Sequence, residues 1–179
     1  LTPKATNRSA DRRPATGANT RSGRGRKMKL LDVLDTEAVL PDLQAGTKTE
    51  VLEELVTPVA RSSGAAVEEL VQVLLDRERL GSTGIGGGIG IPHGKIPRID
   101  RLFLGFGLSR RGIDFESLDG LPTRIFFLLV TPENSAGLHL KVLARISRML
   151  KSDAFKERLL RARTRDEIIA ILQSEDEDF

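Results

Sequence analysis

The stretch "GSTGIGGGIGIPHGK", Gly81 to Lys95, limits this chain more than any other. Seven of its fifteen residues are glycine. A run so rich in residues without a Cβ cannot hold a helix, and it permits positive φ and close backbone approach. Pro92 fixes its own φ and biases Ile91 toward an extended conformation. The pattern predicts turns leading into a short strand, "GIGIPHG", with His93 stiffly held but accessible and Gly94 leaving one side of the ring uncrowded.

Two phosphate-binding motifs are excluded by spacing. A P-loop ending at Gly94-Lys95 needs glycine at position 89 and a hydroxyl at position 96, and both are isoleucine. A dinucleotide fingerprint needs glycines at i, i+2 and i+5 after a strand. From Gly84, Gly86 or Gly88 the third position is Ile89, Ile91 or His93.

Around this stretch the chain alternates helical and extended patterns. Residues 30–43 read as a helical turn and then a strand. Thr47 and Glu50 form a capping box, and Leu52, Leu55, Val56 and Val59 follow at helical spacing. Pro58 predicts a kink or an early end to that helix. Val67, Leu70, Val71, Leu74 and Leu75 share the face of a second helix, stopped by Gly81. The segments 101–109 and 123–132 are apolar and of strand length. Their short connection makes them antiparallel neighbours. A third helix follows over 138–152. Ser152 caps a fourth, and Thr164 with Glu167 opens a fifth. The expected fold is α/β: a three-layer α/β/α sandwich, a mixed sheet flanked by helices.

Charge divides the chain. Residues 1–27 carry a net charge of +7 and residues 28–179 a net charge of −4. The first segment has almost no large apolar side chains and reads as a disordered basic extension, upstream of a natural start at Met28. Its alternative reading is a contact with nucleic acid or another acidic surface. The domain is expected over 28–174, and 175–179, "EDEDF", as a solvated acidic tail. With no tyrosine or tryptophan for base stacking, and an acidic core, nucleic acid is not the expected partner. No apolar run is long enough for membrane insertion. Cysteine is absent, which removes disulfides and thiolate chemistry. A soluble cytoplasmic protein is expected, without cofactor or metal, since two histidines far apart in sequence make a poor zinc site.

The text "DRERLGSTGIGGGIGIPHGK", with "GIDFESLDGLPTRIFFLLVTP" and "HLKVLARISRML" downstream, resembles the type 2 IIA domains of the phosphoenolpyruvate-dependent sugar phosphotransferase system. The form "PHGK" is most similar to the nitrogen-regulatory branch. The resemblance runs from about Met28 to Gln173. Two positions depart from the usual pattern: Gly87 stands for asparagine and Gly90 for alanine.

The resemblance implies that His93 accepts a phosphoryl group, through Nε2, from a histidine phosphocarrier protein. A neutral imidazole is abundant and nucleophilic near neutral pH. It implies that His139, on the apolar stripe near a helix N-terminus, stands beside His93 and holds phosphoryl oxygens. Its position alone favours a core histidine satisfied by a backbone carbonyl. It implies a phosphate-binding role for Arg77, with Arg79 as second choice, Thr83 as a weaker one, and backbone N–H groups of the glycine-rich turn as further anion donors. The implied function is a phosphohistidine carrier and regulator in nitrogen and potassium control, with regulatory targets such as a potassium transporter or sensor kinase. The alternative is a fructose-type IIA component passing phosphate to a IIB domain.

Overall fold

Strands β5 (Phe103–Ile113) and β6 (Thr123–Pro132) pair antiparallel along nearly their whole length and form the centre of the sheet. The structure, a computed structural model, describes residues 27–177. The expected disordered extension therefore lies, apart from Lys27, outside the described residues. A 3-10 turn (Leu30–Asp32) leads into β1 (Leu34–Leu40), which lies parallel to β5 at one edge. The other edge is built from the glycine-rich stretch. It contributes β2 (Gly84–Gly86), β3 (Ile89–Gly90) and β4 (His93–Ile96). Both β3 and β4 pair parallel to β6, one after the other, and β2 folds back antiparallel on β3.

The expected single strand "GIGIPHG" is thus one track along β6, interrupted at Pro92. Proline has no N–H to give to a ladder. Its carbonyl still accepts from Leu129 N at 3.0 Å, so the track resumes in register at His93.

Helices α1 (Lys48–Ser63) and α2 (Val67–Arg79) cover one face of the sheet. Helices α3 (Ala136–Met149), α4 (Asp153–Arg161) and α5 (Arg165–Glu177) cover the other. Strand β6 feeds both cores by alternation. Ile125, Phe127 and Leu129 join the α3–α5 side, and Phe126, Leu128 and Val130 join the α1–α2 side. This is the three-layer α/β/α arrangement that the patterning predicts.

Three expectations change. Helix α1 does not end at Pro58; it continues to Ser63. A helix-interior proline costs about 3 kcal/mol. Against it stand Val51, Leu52, Leu55, Val56 and Val59, all fully buried, at about 1.5–3 kcal/mol each. The fifth strand is longer than 101–109 and runs through Arg110–Ile113, with a register irregularity between Leu108 and Ile113. The acidic tail is not solvated from residue 175 onward. Helix α5 extends to Glu177, and Asp176 is buried, paired with Arg145 and accepting from Leu30 N at 2.7 Å. A carboxylate buried with two such partners ties the end of α5 to the turn before β1 and to α3.

Candidate functional site

His93 opens β4, directly after the break at Pro92. Its Nδ1 lies 2.7 Å from the carbonyl oxygen of Ile91. A carbonyl can only accept, so Nδ1 carries the proton and Nε2 keeps its lone pair. Local sequence sets this arrangement: the residue before a proline is extended, which places its carbonyl against the ring two residues on.

His139 reaches the same place from helix α3. It lies in the first turn of α3, where its N–H bonds Ser135 O at 2.9 Å. Its Nδ1 is 2.9 Å from Thr131 Oγ1, near the end of β6. The two imidazoles meet edge to face. The first turn of α3 holds no acidic residue, and its Ala136 lines the site, so the positive end of that helix is not offset within its own first turn.

Arg77 approaches from the last turn of α2 and donates to Gly81 O at 3.0 Å. Gly94 permits this approach. A Cβ there would stand 2.6 Å from Val73 Cγ1, so the glycine serves helix α2 rather than clearing space beside the ring. Arg77, His93, His139 and Lys95 line one open cleft of about 500 Å³, together with Val73, Asp76, Leu80 and Leu140.

Burial pushes the His93 imidazole below the usual histidine value. The Ile91 hydrogen bond acts in the opposite direction, and the charge of Arg77 lowers it further. His139 is lowered by burial, then by His93 and Lys95. Both rings are therefore neutral near pH 7. A neutral ring with a free Nε2, beside an arginine, a lysine and a helix N-terminus, can attack an electrophilic phosphorus and hold the charge of the group it receives.

Three secondary expectations do not survive. Arg79 does not line the cleft; it is exposed and paired with Asp76. Thr83 is buried and its hydroxyl is engaged by Glu78. Three amides of the glycine-rich turn are also already taken: Gly84 N bonds Ser82 Oγ, Gly86 N bonds Ser117 Oγ, and Gly87 N bonds Asp119 Oδ2. Gly87 has φ 63° with open space around a Cβ, a left-handed conformation that asparagine also tolerates. The departure there is mild. At Gly90 an added Cβ would meet Phe126 at 3.1 Å, so the glycine matches the tight packing of this sheet.

Sequence reasoning missed Lys95, although alternation along β4 puts it on the face of His93. It also missed Leu80 and Leu140, which are 85% and 66% exposed at the cleft. No local pattern marks them.

A sheet with helices on both faces thus carries a histidine pair in an open cleft. The chain belongs to the family described as "Phosphoenolpyruvate-dependent sugar phosphotransferase system, EIIA 2", whose match covers residues 32–175. It is a phosphotransferase-system component. The nitrogen regulatory protein of Bradyrhizobium diazoefficiens is 40% identical over 145 residues, which is 81% of this chain and 95% of that protein. The fructose-specific EIIABC component of Bacillus subtilis is 33% identical over 150 residues, 83% of this chain but 24% of that protein. Among solved structures, nitrogen regulatory protein IIA-Ntr from Neisseria meningitidis superposes with a TM-score of 0.76 at 31% identity, covering 80% of this chain and 98% of that one. No helix among the described residues is long and apolar enough to cross a membrane.

Proposed function

We propose that this protein carries a phosphoryl group on Nε2 of His93 and works in nitrogen regulation. The carrying observation is the His93–Ile91 hydrogen bond, which leaves Nε2 as the nucleophile in a cleft shared with His139 and Arg77. The donor is a phosphohistidine on a histidine phosphocarrier protein. Nε2 attacks phosphorus, the donor's N–P bond breaks, and the donor imidazole leaves with that electron pair. Arg77 and His139 hold the phosphoryl oxygens. The exposed Leu80 and Leu140 give a partner protein an apolar surface at the rim.

The nitrogen-regulatory reading is favoured by the Bradyrhizobium relative, which matches nearly end to end. Sugar transfer to a IIB domain is the second reading, favoured by the fructose-specific relative. Regulatory targets are proteins that distinguish the phosphorylated from the unphosphorylated cleft. Such a protein works in the cytoplasm, where its phosphoenolpyruvate-derived donor is made.

The test is incubation with phosphoenolpyruvate, enzyme I and a histidine phosphocarrier protein. Acid-labile, base-stable phosphate should form on the wild-type chain and not on His93→Ala. Labelling of His93→Ala to the wild-type extent overturns the assignment.

A further inference from the structure

Glu78 is buried at the end of α2, yet it touches neither imidazole directly. Its carboxylate accepts from Thr83 N at 3.2 and 3.1 Å and from the Thr83 hydroxyl. Lys48 Nζ balances the charge at 2.9 Å. Thr83 in turn holds the segment that carries His93: Thr83 O accepts from Ile91 N at 3.0 Å. Ile91 O then accepts from His93 Nδ1. A continuous path runs from Glu78 through Thr83 and Ile91 to the imidazole.

We infer that Glu78 is a positioning residue for His93, fixing through Thr83 and Ile91 the ring orientation and the Nδ1–H tautomer that leave Nε2 free to react. A buried carboxylate is costly unless fully bonded. Here Thr83 supplies three hydrogen bonds and Lys48 the balancing charge, so the carboxylate anchors the start of the glycine-rich stretch to the end of α2. Ile91 has no side chain able to orient a ring. Its carbonyl does so, and the amide of the same residue is held by Thr83 O, in addition to the restraint from Pro92. Glu78 is also the neighbour of Arg77, so one helix end sets both the ring and the guanidinium of the cleft.

The inference rests on His93 as the phosphoryl acceptor, but its main readout does not. Imidazole ¹⁵N shifts report the tautomer without any phosphoryl transfer. The wild-type His93 ring should be chiefly the Nδ1–H form. Glu78→Ala should shift it toward Nε2–H and slow phosphoryl transfer by roughly 10–100-fold, the scale seen when a partner that orients a reactive imidazole is lost. Glu78→Gln, which keeps an oxygen for Thr83 N, should recover most of both. Thr83→Val removes the hydroxyl bond to Glu78 and keeps the two backbone links, so it weakens the path with little change of shape and should move the tautomer in the same direction by a smaller amount, and the test holds even if Glu78→Ala does not fold. A wild-type tautomer ratio in folded Glu78→Ala or Thr83→Val overturns the inference, whatever the rate does. If the wild-type chain takes no phosphoryl group, the functional reading falls and the tautomer shifts alone decide the role of Glu78.

Discussion

The imidazoles of His93 and His139 stand with centroids 5.4 Å apart and planes at 63°. One opens β4 and the other follows β6, and Thr131 ties His139 to the backbone of β4. Its hydroxyl lies 2.9 Å from His139 Nδ1 and 3.4 Å from Gly94 O. On the proposed function, this second ring stands beside the phosphoryl group that His93 receives. His139→Ala should lower the rate of phosphoryl transfer by about a hundredfold, the scale for losing one preorganised donor, while His93 remains the labelled residue. Rapid-quench kinetics would show it, and a wild-type rate would return His139 to the core.

Arg77 and Arg79 are two residues apart but differ in surroundings. Arg77 lines the cleft, whereas Arg79 is exposed and paired with Asp76. Arg77→Lys should slow transfer about tenfold, since an ammonium cannot make the forked contact of a guanidinium. Arg79→Lys should leave the rate within about twofold, in keeping with the small worth of exposed ion pairs. Equal losses in both would mean that the wrong arginine has been placed at the phosphate.

The histidines also fix a pH dependence. Burial lowers both native values, so the unfolded chain takes up protons at higher pH than the folded one. Their contribution to stability is fully present above the ordinary histidine value of about 6.5. It is lost as pH falls through the lower native values. Ring C–H resonances of both should titrate with midpoints below about 6.5. The fall in unfolding free energy between pH 7 and 5, followed by urea denaturation, should be shallower in a His93→Gln/His139→Gln variant. Midpoints at or above the ordinary value would contradict this.

Gly94 sets how close α2 comes to β4. Gly94→Ala would place a Cβ 2.6 Å from Val73 Cγ1. Overpacking of this kind costs about 1–3 kcal/mol and should lower Tm by roughly 3–10 °C. Adding Val73→Ala should restore part of it. Thermal unfolding that shows no loss in the single variant would mean that the helix moves aside without cost.

Much of this protein is legible residue by residue. The Thr47–Glu50 box and the Ser152 cap start their helices where the sequence places them. The continuous apolar run over 123–132 identifies a strand. The glycine-rich stretch with Pro92 marks His93 as the residue its backbone is built around. These signals are short-range: a cap, a period or a fixed φ acts within a turn or two of the chain. The tertiary structure decided which polar groups meet. It chose Arg77 over Arg79, gave Thr83 to Glu78 rather than to the cleft, and carried α1 past Pro58 because the core held both sides of it. It also buried Asp176 against Arg145 and Leu30 N, where composition alone suggested a tail in water. Partner choice depends on burial and on contacts between residues distant in sequence, and no local pattern encodes the cost of leaving a charge unpaired.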